Sequence, residues 1–443
     1  MSINHVPVLK AVLALGLLGT VCSASAATIE HWTQPDGARV LYVEARQNPI
    51  VDLRIDFDAG SRRDPADRPG VAGMTADMLS AGTTTLSEDA ISNRFSDLAS
   101  EFGAGVDRDR AFVHLRSLSS MAEREASVKL VNEILTRPAF PARVLTRLKA
   151  QAIAAYRQQQ DSPEAVAYRL LNRSMYGTHP YASGARTDEA AISALTRADL
   201  QAFWRHYYRP STMTISIVGD VDRASAERLA RQLTRGLSPA QAALPALPPV
   251  PAAQGDTIRK THTATQASVM FGMPLITRDD PDYYALVVGN YILGGGSFDS
   301  RLMKELRDKR GLTYGASSWL APYAQPGDFA LSVNTRREQA DEALKVARQT
   351  LADFVEHGPT EAEMAQAKGN IVGGFPLRYA SNRSLIGYVA VIGFYNLPLS
   401  WLDDYPKAID KVTAADVRDA YRRRVDPARM SVVVVGGEPQ RVQ

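Results

Sequence analysis

Two stretches of this chain are copies of one another, and that limits its architecture more than any other feature. Ile192–Asp199, then Pro210, then Ile215–Gly219 lie over Ile409–Asp416, Pro427 and Val432–Gly436 at a constant shift of 217 residues, without a gap. In each copy a threonine, Thr196 or Thr413, is placed to cap a helix, and Asp199 or Asp416 follows three positions later to complement the helix N-terminus. The helix must stop before a proline and a β-branched strand. A repeat this long is domain-sized rather than solenoid-sized, so it predicts two tandem homologous units.

Residues 238–255 carry Pro239, Pro245, Pro248, Pro249 and Pro251 between the copies, which predicts an extended, semi-rigid connector. The expected units are then residues 27–237 and 256–443. Each mixes alternating strand patterns, such as Ile50–Phe57 and Ser268–Met273, with long helical patterns. The fold class that follows is α+β, with an antiparallel-rich sheet in each unit and helices packed on one face. The apolar run Ile386–Leu402 is broken by Gly387, Gly393, Asn396 and Pro398, so it reads as a buried helix and turn rather than a membrane span.

Residues 1–26 read as a secretory signal. Lys10 supplies the positive flank, Ala11–Val21 an apolar run too short to span a bilayer, and Ala24-Ser25-Ala26 a cleavage site. A periplasmic or secreted protein beginning near Ala27 is expected. Cys22, the only cysteine, falls inside this segment, which leaves the mature chain no disulfide, thiol nucleophile or thiolate ligand. A formal net charge of +3 offers no electrostatic footprint for nucleic acid.

The segment from Gly70 to Leu79 resembles the zinc-binding helix of the pitrilysin, insulinase and mitochondrial processing peptidase family, whose pattern there is Gly-Leu-Ala-His-x-x-Glu-His-Met. In that motif two histidines on one helix face grip zinc while the glutamate activates water. Here Gly73, Ala76 and Asp77 occupy those three places. The family's third ligand, a glutamate on a later helix, is matched by Ala155, and Ile134–Gln160 contains no Asp or Glu that could replace it. A catalytic zinc needs three protein ligands and an open position, so no metal is expected in this chain. His5, His31, His114, His179, His206, His262 and His357 are dispersed, with no pair at helical ligand spacing. No Gly-x-Ser-x-Gly elbow suggests a serine hydrolase. The run Tyr176–Tyr181 is similar to a common element of the family's first unit.

In the second half, Gly294, Gly295, Gly296 and Ser297 read as a flexible loop leading into a helix with apolar positions Phe298, Leu302, Met303 and Leu306. Gly311 suits a left-handed C-cap, Leu312 the hydrophobic contact that follows it, and Tyr314 the start of a strand. On composition alone Arg307 is a solvated helix residue and Tyr314 a core residue. The resemblance implies otherwise. In the family an Arg and a Tyr at this spacing point across a chamber at the opposing unit's zinc site, contact the peptide and stabilise charge on the scissile carbonyl oxygen. One such donor contributes about 3 kcal/mol. The glycine run lacks a Gly-Lys-Ser/Thr ending, which argues against phosphate binding. The resemblance implies that it borders the chamber, so peptide contact and backbone packing both stand.

The resemblance covers nearly the whole mature chain and implies a clamshell that closes around unfolded peptide. The expected protein is the non-catalytic subunit of an exported heteromeric zinc endopeptidase, inactive alone. Its partner would be a homologous subunit bearing His-x-x-Glu-His, which holds the zinc. The alternative is a homodimeric, chaperone-like pseudopeptidase that binds peptide without cleaving it. A structural assembly subunit is the third reading.

Overall fold

The computed structural model describes residues 28–238 and 243–436. The signal segment predicted over residues 1–26 therefore lies outside the described residues, as does part of the connector. The first unit contains strands β1 (Glu30–Thr33), β2 (Arg39–Glu44), β3 (Ile50–Phe57), β4 (Glu101–Val106), β5 (Ala111–Leu118) and β6 (Met213–Gly219). Its main helices are α1 (Val71–Met78), α2 (Met121–Thr136), α3 (Ala142–Gln160), α4 (Pro163–Tyr176), α5 (Arg197–Tyr207) and α6 (Arg223–Thr234). The second unit contains β7 (Thr257–Lys260), β8 (Gln266–Pro274), β9 (Thr313–Ala321), β10 (Asp328–Arg336) and β11 (Ser431–Val435). Its main helices are α7 (Tyr283–Asn290), α8 (Ala340–His357), α9 (Glu361–Gly374), α10 (Asn382–Phe394) and α11 (Ala414–Arg424).

The duplication extends well beyond the copied segments. The sheets run β1-β2-β6-β3-β5-β4 and β7-β11-β8-β10-β9, so the second repeats the order of the first without its outermost strand. In each, one parallel pair sits among antiparallel ones, and the registers correspond: Val40 pairs with Ile215 as Thr257 pairs with Val432. Ile50 likewise pairs with Leu118 as Ala267 pairs with Thr335. Both predicted caps form complete capping boxes, Thr196 with Asp199 on α5 and Thr413 with Asp416 on α11. Each satisfies backbone donors that the first helical turn leaves open.

Each unit's own helices cover one sheet face. In the first unit, Val128 and Val131 of α2 and Leu229 and Leu233 of α6 share a core with Leu53, Ile55, Val113 and Ile217. The opposite face of each sheet is covered by a helix from the other unit. α4 packs on β8 and β11 of the second sheet, and α10 packs on β2, β3 and β6 of the first. Val166, Ala167, Leu171 and Met175 of α4 cluster with Met270, Ala330, Val433 and Val435. At Gly393 of α10 a Cβ would stand 2.5 Å from Leu41 Cδ1, so any larger residue would make the Leu41 side chain shift. Burial on both faces explains why β8 is buried almost throughout rather than alternating. It also explains the apolar run from Ile386, most of which is α10. Among the described residues no helix is long and apolar enough to cross a membrane.

Candidate functional site

The zinc-helix positions do form a helix, as the resemblance predicts. α1 starts after Gly70, whose φ of 90° is left-handed and which has no side chain to cap the helix. Asp64 takes the capping role from a distance, accepting from Gly70 N–H and Ala72 N–H at 2.8 Å each and from the Ser183 hydroxyl. Burial pushes its carboxyl up to about 6 despite those three donors. On the helix, Gly73 is half-buried, Ala76 buried and Asp77 exposed. Desolvation by the surrounding protein raises the Asp77 carboxyl above the usual range. A Cβ at Gly73 would touch only Val106 Cγ1, at 3.7 Å, so space for a side chain remains beside β4.

Ala155 is exposed on α3, at the edge of the face on which Leu148, Ala152, Ile153 and Tyr156 pack on the first core. Among the described residues no three His, Cys, Asp or Glu side chains come together as a metal site. The residues present do not fit a zinc ion, because of the three ligand places Gly73, Asp77 and Ala155 only Asp77 has a side chain that can coordinate. His179 has structural work: Nδ1 accepts from Tyr181 N–H at 3.1 Å, and Nε2–H donates to the Pro248 carbonyl of the connector at 2.9 Å. These two bonds select one neutral tautomer, and burial lowers its pKa accordingly.

In the second unit Gly294 and Gly295 of the predicted loop end a π turn, Tyr291–Gly295, that continues α7, and Gly296 and Ser297 lead from it into the next turn. Gly294 is buried, and a Cβ there would meet Ser318 N at 2.4 Å, so its contribution is close packing on β9. Gly295 and Ser297 are exposed, Gly296 half-buried, and Ser297 takes a left-handed φ of 59°. Leu302, Met303 and Leu306 enter the core as the pattern predicts. Phe298, expected beside them, is instead 63% exposed. It lies in a separate 3-10 turn, Ser297–Asp299, which breaks the helical phase before Arg301.

A second π turn, Lys304–Asp308, carries Arg307. Gly311 closes it at φ 61°, with Gly311 N–H donating to the Arg307 carbonyl and Leu312 N–H to the Leu306 carbonyl, both at 2.8 Å. The predicted left-handed cap is therefore present, one residue wider than usual because the turn is π. Arg307 is exposed with its guanidinium 4.8 Å from the Phe298 ring, a cation–π distance. Tyr314, near the start of the edge strand β9, is 89% exposed and so not the core residue that composition suggests.

The sequence did not reveal the polar seam between the units. Asp109, fully buried, accepts from Arg62 Nη1 at 2.7 Å and from Tyr181 OH, Tyr395 OH and Ala324 N–H at 2.8 Å each. Arg108 pairs with Asp328 at 2.6 Å, and Tyr176 OH donates to the same carboxylate. The Tyr176–Tyr181 run is thus an inter-unit anchor. Its presence was legible, but the distant carboxylates it meets were not.

The description "Insulinase (Peptidase family M16)" matches residues 39–188, and "Peptidase M16 inactive domain" matches residues 194–371. A solved M16 inactive domain from Pseudomonas fluorescens is 37% identical and superposes with a TM-score of 0.89 over 93% of this chain and 98% of that one. An uncharacterized zinc protease from Streptomyces coelicolor is 26% identical, covering 92% of this chain and 90% of its own. The non-peptidase homolog YmxG of Helicobacter pylori is 22% identical over 97% of this chain and 99% of its own. The chain therefore belongs to the M16 peptidase family, as a member whose zinc helix carries none of the motif's three functional residues.

Proposed function

We propose that this chain is the non-catalytic subunit of an exported heteromeric zinc endopeptidase. It forms half of a peptide chamber and presents Arg307 and Tyr314 to the zinc site of a homologous partner bearing His-x-x-Glu-His. The observation that carries this reading is the exposure of both groups: Tyr314 stands 89% exposed on an edge strand, and Arg307 has no ion pair among the described residues. A cation and a phenol held outside any core are free to meet a carbonyl oxygen that gains charge in the transition state. The partner would supply the zinc and the general base that α1 lacks.

Co-expression of this subunit with such a partner tests the proposal. The heterodimer, verified by size-exclusion chromatography, should cleave extended peptides with zinc dependence. Arg307→Ala and Tyr314→Phe should each lower kcat by about ten- to a thousand-fold, as loss of an oxyanion donor does, with the subunits still associated. Wild-type turnover in the double variant would remove the shared-site reading.

The alternative, a homodimeric peptide-binding pseudopeptidase, draws support from β4. This strand is the open edge of the first sheet and lies against α1 beside the unfilled Gly73. An unpaired edge next to a groove can take up an extended peptide by strand addition. Saturable binding of an unfolded peptide by the chain purified alone would favour it.

A further inference from the structure

Between the units lies a cleft of about 550 Å³ that none of the roles above uses. Six charged side chains line it: Arg39, Asp58, Arg62 and Arg63 from the first unit, Arg278 and Asp279 from the second. Arg62 and Arg63 are already engaged. Both hold Asp58, at 2.9 and 2.6 Å, and Arg62 also reaches Asp109. Arg39 donates only to neutral oxygens, Asn396 Oδ1 and Thr214 Oγ1. Arg278 has no carboxylate partner among the described residues, and its Nε is buried without any hydrogen-bond partner. Its guanidinium lies 5.3 Å from the ring of Tyr395, itself part of the wall. Desolvated guanidinium donors left unmatched are costly, and an arriving anion removes that cost.

We propose that the cleft binds a small oxyanion, a phosphate ester or a carboxylate, clamped between Arg39 of one unit and Arg278 of the other. Asp58 and Asp109 balance Arg62 and Arg63, so Arg39 and Arg278 face only Asp279 and the wall stays net positive, which favours an anion. Guanidinium forks match both oxyanion types with paired hydrogen bonds. The volume falls within the range of small-molecule sites, about 300–1,000 Å³. Because the clamp draws on both units, the ligand would hold the seam closed.

Isothermal titration of the full mature protein with phenyl phosphate and, separately, succinate at constant ionic strength tests this, with thermal unfolding as a second readout. Saturable binding of one or both is expected, with a higher Tm, and the tighter of the two identifies the ligand class. Arg39→Gln and Arg278→Gln should weaken binding by about ten-fold or more, the loss of a charge-assisted pair. Arg348→Gln, an exposed arginine outside the cleft, should leave it unchanged. No saturable heat from either probe, or wild-type affinity in the two cleft variants, overturns the proposal. If Arg278→Gln does not fold, Arg278→Lys keeps the charge and loses the fork; undiminished affinity there overturns it as well.

Discussion

The two units share one plan and differ where chemistry would sit. Strand order, register and capping boxes repeat at a shift of 217 residues. The same shift carries Gly73, Ala76 and Asp77 of the first unit onto Asn290, Leu293 and Gly294 of the second, where α7 passes into a π turn. The first unit keeps a regular helix on which Asp77 is the only ionisable side chain. The second keeps an exposed aromatic–cation group, Phe298 with Arg307, and the projecting Tyr314. Positions that hold caps and cores change at a cost in stability, whereas exposed positions change at almost none. After duplication the fold was therefore constrained in both halves, and the surface chemistry was free to diverge.

The largest effect is expected where the halves meet. Asp109→Ala leaves Arg62, Tyr181, Tyr395 and the Ala324 N–H without their shared acceptor and should cost about 3–5 kcal/mol in urea unfolding, the usual penalty for breaking a buried charge pair. A loss below about 1 kcal/mol would show that the seam does not join the units.

Next come the exchanged helices. Leu171→Ala on α4 and Ile392→Ala on α10 should each cost about 3 kcal/mol, as buried large-to-small changes do. Both should lower one cooperative calorimetric transition, because each helix covers the other unit's sheet. Two separate transitions would break the picture of units locked by exchange.

The repeated caps sharpen the comparison further. Thr196→Ala and Thr413→Ala should each cost about 1 kcal/mol by chemical denaturation, with the double variant additive because the boxes share no partner. Unequal losses would mean that one copy has come to depend less on its cap. The smallest effect belongs to the exposed pair: Arg307→Ala and Tyr314→Phe should shift stability by no more than about 0.5 kcal/mol. A larger shift would make them structural and weaken their proposed role in catalysis.

Much of this was written in local patterns. Thr196, Thr413, Gly311 and the apolar run after Ile386 each announced an element within a few residues, because capping, left-handed turns and helix burial depend on near neighbours. Equally plain was the chemistry at the motif places, since the side chains of Gly73 and Ala155 offer no ligand and that of Ala76 no base whatever the fold does. Phe298 misled because one 3-10 turn shifts the helical phase, and periodicity alone does not register such a break.

By itself, then, the amino-acid sequence determined the duplication, the α+β class and which side chains stand at the zinc-motif places. Only the tertiary structure decided that α4 and α10 change places between the sheets, that Asp109 gathers donors from both units, and that Arg307 and Tyr314 face solvent. The first set depends on residue type and short spacing. The second depends on which distant surfaces exclude water together, and burial of that kind has no signature in any one segment.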